Sequence, residues 1–158
     1  MKLKVLFLCA TNSVPGPMAE ALLNQVDPKR FEVTSAGIDR GENHPLTVEV
    51  MKEIGLDLAG RSAKTAQDVL NLGFDFVITL CDRSRSECPS FPKAELVHWQ
   101  FDDPLAVSDP AKQKQQFRSL RDQIAQRIRL FALVQVRFVS AATSVPADPR
   151  LQRDVIHS

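Results

Sequence analysis

The sequence predicts an α/β domain in three layers, a doubly wound four-stranded parallel sheet covered by helices. Two observations carry that expectation. Short apolar runs alternate with helical patterns along the chain, and the first run, Lys4 to Leu8, is of the kind a parallel sheet buries on both faces. Chemistry-bearing residues also fall just after three of the runs, where open α/β sheets bind their ligands. At 158 residues and 44% hydrophobic content, the chain can build one full core but not two comfortable ones. A single domain is therefore expected over residues 1–139. A poorly ordered tail is expected over 140–158, where Ala, Thr, Ser, Pro and Asp dominate.

Strands are expected at Lys4–Leu8, Phe31–Ser35, Phe74–Leu80 and Glu95–Trp99. The first helix is expected from Pro17, a residue suited to the first helical position, to Val26, with Met18, Ala21, Leu22 and Val26 on one side. Helical patterns follow at Leu46–Ile54, at Ala63–Asn71 and from Asp109 to about Leu133. The last has a clear core face of Phe117, Leu120, Ile124, Ile128 and Phe131, against Arg118, Arg121, Asp122 and Arg129 outside. Beyond Leu133, Val134, Val136 and Phe138 recur at the period of a strand.

Net charge of +1 with mixed signs supplies no long-range field for nucleic acid or an anionic membrane, so neither is an expected partner. The apolar stretch after Lys4 is too short for the core of an export signal, and no run is long enough to span a bilayer. Cytoplasmic residence is the expectation. In a reducing compartment an odd count of three cysteines, Cys9, Cys81 and Cys88, favours reactive thiols over a disulfide framework.

Cys9 is expected at the carboxyl end of the first strand, in a loop of Ala10, Thr11, Asn12, Ser13, Val14, Pro15 and Gly16 that leads into a helix. Loop N–H groups and the positive end of the helix would bind an anion there, and the same field would lower the thiol pKa. A small buried cysteine at a strand end fits the same features. Cys81 follows the third strand and Asp103 the fourth.

With Cys9, Asn12, Ser13, Met18, Ala19 and Glu20, then Ser35-Ala36-Gly37, His44-Pro45 and Asp103-Pro104, the chain resembles the low-molecular-weight protein tyrosine phosphatase superfamily over about Lys2 to Leu133. Val77-Ile78-Thr79-Leu80-Cys81, Glu87-Cys88-Pro89 and His98-Trp99 before Phe101-Asp102-Asp103-Pro104 resemble its thioredoxin-coupled arsenate reductases more than its phosphatases. The resemblance implies a phosphatase-like fold and a small oxyanion substrate. It makes Cys9 the thiol that attacks arsenate, Cys81 the second thiol, which displaces arsenite by forming a disulfide, and Cys88 the third, which attacks that disulfide. It makes Asp103 the general acid, thioredoxin the electron donor, and no cofactor necessary. Asp82 to Glu87, polar and free of apolar anchors, is expected to be mobile enough to present Cys88. The Cys81 to Cys88 separation is not the spacing of zinc ligands, and no metal is expected. His98 and Trp99 read as support for the core, and Ser35-Ala36-Gly37 as a tight turn.

The family loop reads Cys-Thr-Gly-Asn-Ser-Cys-Arg-Ser where this chain has Cys9-Ala10-Thr11-Asn12-Ser13-Val14-Pro15-Gly16. Pro15 replaces the arginine that holds a tetrahedral oxyanion by two parallel hydrogen bonds, Thr11 replaces the glycine, and Gly16 replaces a serine hydroxyl. Three readings follow. The chain is a divergent thiol-dependent reductase; or a phosphatase whose anion is held by Arg40, Arg61, Arg83 or Arg85; or a catalytically impaired protein that uses the pocket or cysteines for binding or redox sensing.

Overall fold

The computed structural model describes residues 2–58, 61 and 63–143, with side chains described through residue 135. The strands are β1 (Leu3–Cys9), β2 (Phe31–Gly37), β3 (Phe76–Thr79) and β4 (Glu95–His98), and the helices are α1 (Pro15–Val26), α2 (Pro45–Lys52), α3 (Asp82–Ser86) and α4 (Pro110–Thr143). All strand pairs are parallel, in the order β2-β1-β3-β4. Strand order therefore reverses between β1 and β3, and the carboxyl ends of those two strands open the crevice in which such sheets bind ligands.

Side chains alternate across the sheet. Val5, Phe7 and Ile78 join Met18, Leu22 and Leu23 of α1, Val50 and Met51 of α2, and Phe117, Leu120, Ile124 and Ile128 of α4 in the larger core. Leu6, Leu8 and Val77 point the other way, against Val69, Phe74 and Phe91. That second cover is thinner than the sequence suggests. Only Gln67–Val69 of the expected Ala63–Asn71 helix forms, as one 3-10 turn. Thr65 is held extended by its bridge to Gly37, and the Asp68 carboxylate accepts its N–H at 2.9 Å, which closes a local turn in place of a helical one.

Four other expectations are corrected. Helix α1 begins at Pro15, not Pro17, so Pro15 takes the position where a missing N–H costs nothing. Ser35-Ala36-Gly37 is the end of β2 rather than a turn. Arg121 is buried, donating to Val50 O and Glu53 at 2.8 Å each, because its stem lies along the α2–α4 seam while its head reaches acceptors. Helix α4 continues through the strand-like stretch to Thr143, past the 139/140 boundary, since nothing before Pro146 interrupts its own hydrogen bonding. Residues 144–158 of the expected tail lie outside the described residues. No helix among the described residues is long and apolar enough to cross a membrane.

Candidate active site

The ends of β1 and β3 and the segment after β4 enclose a cavity of about 410 Å3. Cys9, Cys81 and Asp103, which the sequence scatters over most of the domain, all line it. So do Ala10, Thr11, Ser13, Val14 and Pro15 of the expected loop, whereas Asn12 and Gly16 stand behind the sulfur.

The loop wraps the cysteine closely. The N–H groups of Gly16, Asn12 and Ser13 donate to Cys9 Sγ. The turn is made by Asn12, whose φ of 57° is the only positive value at a non-glycine among the described residues. Thr11, which stands where the family has glycine, does not have a positive φ, and the left-handed position falls on Asn12, a residue type that tolerates it. Gly16 has a steric reason: a Cβ there would lie 2.9 Å from Cys9 Sγ and 2.8 Å from Asn12 Oδ1. Gly37 allows β2 to meet the loop, since a Cβ would sit 2.7 Å from Thr11 C.

Burial decides the thiol's protonation. Cys9 is 2% exposed, and desolvation pushes its pKa up from 9.0 to about 11 against the three N–H donors. The expected lowered pKa is therefore not met, and a neutral thiol is favoured. Cys81 is half-buried and caps α3: its Sγ accepts from Ser84 N at 3.5 Å, while Ser84 Oγ accepts from Cys81 N at 3.2 Å. Asp82 to Glu87 is thus mostly a one-turn helix rather than an irregular segment, because the cysteine itself supplies its cap. Cys88 is not at the cavity. It packs against the Leu6 and Leu8 side of the sheet, and burial raises its pKa. Asp103 Oδ1 accepts from Leu105 N at 2.9 Å, which pins the carboxylate at the rim of the cavity. Trp99 is buried in the core, and His98 bonds Thr79 Oγ1 at 2.7 Å, both supporting roles as expected.

None of the four candidate arginines lines the cavity. Arg40 pairs with Asp68, and Arg83 with Asp39 and Glu87. The Arg61 guanidinium is committed to Glu20 and to Ser35 Oγ at 2.5 Å. This largely buried trio beneath the loop, Glu20, Ser35 and Arg61, is not legible from residue spacing, because its members come from α1, β2 and the segment after α2. The cavity's further aspartates, Asp82 and Asp102, and its apolar wall at Phe101 and Leu120 were also not singled out from the sequence as site residues.

A family description of low molecular weight phosphotyrosine protein phosphatases matches residues 4–142. This chain belongs to that family. Within it, the chain is 38% identical over 130 residues to an arsenate reductase of Halalkalibacterium halodurans, covering 81% of this chain and 94% of that protein. Among solved structures, an arsenate reductase in its phosphate-binding state superposes with a TM-score of 0.71 at 29% identity, over 83% of this chain and 96% of that one. A thioredoxin-dependent arsenate reductase of Corynebacterium glutamicum superposes with a TM-score of 0.67 at 29% identity, over 85% of this chain and 63% of that one. Family membership and these relatives support an activity of the arsenate reductase or phosphatase kind.

Proposed function

We propose that this chain is a thiol-dependent reductase of the arsenate-reductase type, in which oxidation passes from Cys9 to Cys81 and then to Cys88. The observation that carries the reading is the shared cavity of Cys9 and Cys81, with Asp103 on its rim and Pro15 where a phosphatase needs its arginine. Phosphoryl hydrolysis without that guanidinium loses on the order of a hundredfold to a thousandfold in rate. Thiol exchange has no such requirement.

In the relay, Cys9 sulfur bonds to the electrophile, with Asp103 protonating the leaving group. Cys81 thiol then attacks the Cys9 adduct, so that a Cys9–Cys81 disulfide forms and two electrons leave with the reduced substrate. Cys88 thiolate attacks Cys81 sulfur, Cys9 departs as the thiol, and the Cys81–Cys88 disulfide is reduced by an external dithiol of the thioredoxin class. The cap explains how Cys88 reaches its target. Drawing Cys81 sulfur toward Cys9 removes the acceptor that Ser84 N uses, which loosens a helix of only five residues at its first turn. A reducing cytoplasm, where thiols return to the free state, suits this chemistry.

The test is acid quenching and mass mapping of the reduced protein after mild peroxide. Wild type should accumulate the Cys81–Cys88 disulfide, Cys88→Ser should stop at Cys9–Cys81, and Cys9→Ser should slow formation of the Cys81–Cys88 pair. Three free thiols after oxidant, or intermolecular disulfides alone, would remove the relay.

A further inference from the structure

Building on the reading of Cys9 as the attacking thiol, we infer that its cavity selects a small thiol-reactive electrophile that carries no negative charge and rejects dianions such as phosphate and arsenate. The lining carries three aspartates, Asp82, Asp102 and Asp103, and no lysine or arginine among the described residues. Replacing the loop arginine by Pro15 thus does more than delete a donor. It leaves the carboxylates of the rim without a counter-charge, so the field at the mouth is negative.

Of the four candidate arginines, Arg85 is exposed on α3 and does not line the cavity, and the other three are paired with carboxylates. Arg83 is spent on Asp39 and Glu87, Arg40 on Asp68, and Arg61 on Glu20 behind the loop. The loop N–H groups of Asn12, Ser13 and Gly16 already point at Cys9 sulfur. Val14, Pro15, Leu80, Phe101 and Leu120 supply an apolar wall that a neutral molecule can cover without losing hydration. Each unit of like charge brought within about 8 Å of a carboxylate at a protein surface lowers occupancy by roughly tenfold at low salt. A dianion facing three such groups is therefore strongly excluded, whereas an uncharged electrophile is not.

The test uses the Cys81→Ser/Cys88→Ser double variant, in which Cys9 is the only thiol. Serine is a preferred helix cap, so α3 keeps its start. Cys9 is reacted with three methanethiosulfonates that differ in charge: methyl, 2-trimethylammonioethyl and 2-sulfonatoethyl. In each reaction Cys9 sulfur bonds to the reagent's thiol sulfur, methanesulfinate leaves, and the thiol proton goes to buffer. Rates are normalised to a free cysteine amide. The neutral and cationic reagents should react at least about tenfold faster than the anionic one. The gap should narrow in high salt and in an added Asp82→Asn/Asp102→Asn background, and an added Pro15→Arg should favour the anionic reagent. Excess phosphate or arsenate should not protect Cys9. Equal normalised rates, protection by phosphate, or no labelling by any of the three while the unfolded chain labels would overturn the proposal. The relay is read separately from the disulfide map of the three-thiol protein, so either conclusion can fail without the other.

Discussion

Adding one methyl group at position 16 tests whether the loop is as tightly closed on Cys9 as its geometry requires. An alanine Cβ would lie 2.9 Å from Cys9 Sγ and 2.8 Å from Asn12 Oδ1, with Ser35 Cβ at 3.6 Å. Comfortable contacts between heavy atoms begin near 3.5 Å, so the first two neighbours must retreat by about half an ångström or more. Neither can do so freely, because Cys9 and Asn12 are each 2% exposed and Cys9 is fixed at the end of a central strand. Overpacking of this kind costs about 1–3 kcal/mol. The exchange also removes a glycine from the first turn of α1, which returns up to ~1 kcal/mol of backbone entropy. The net expectation for Gly16→Ala is a loss of about 1–2 kcal/mol. With a urea dependence of about 2 kcal/mol per molar, the unfolding midpoint should fall by roughly 0.5–1 M with the slope unchanged. Gly16→Ser should do the same, since it carries the same Cβ, although it reproduces the family's own residue. A midpoint equal to or above wild type for Gly16→Ala would refute the steric account of this glycine.

Pro15→Arg, without a change at Gly16, should raise hydrolysis of a phenyl phosphate by on the order of a hundredfold over wild type, measured against a Cys9→Ser blank; no gain would show that more than one side chain separates this loop from a phosphatase's. Stability should fall with alkaline pH through Cys9. Its folded pKa of about 11 exceeds the 9.0 of the unfolded chain, so the unfolded state binds fewer protons between those values and stability drains away as pH rises from 9.0 to about 11. The loss should approach roughly 2–3 kcal/mol and be missing from Cys9→Ala; parallel pH profiles for the two proteins would contradict it. Arg61→Met should cost about 3 kcal/mol by leaving Glu20 largely buried without its partner, and Arg61→Met/Glu20→Gln should recover much of that, as read by urea unfolding. Equal stability of single and double variants would deny the pair its role beneath the loop.

The fold was legible in the sequence because it rests on periodicity and on strand ends. Four apolar runs gave four parallel strands within a few residues, and Cys9, Cys81 and Asp103 reached one edge because each follows a strand of the same sheet. Pro15 in place of an arginine was equally plain, being a matter of identity at one position. Periodicity misled where a local bond intervened: Asp68 turned an expected helix into a single 3-10 turn, and Cys81 capped a helix in a segment whose polarity suggested mobility. The protonation of Cys9 lay beyond any reading of the loop, because it is set by a competition between three N–H donors and the desolvation imposed by neighbours from distant parts of the chain. The charge at the mouth is of the same kind. Sequence gives the aspartates and arginines, but only packing decides that Asp82, Asp102 and Asp103 line the cavity while Arg40, Arg61 and Arg83 are spent on carboxylates elsewhere, since electrostatic effect depends on distance and burial rather than on composition.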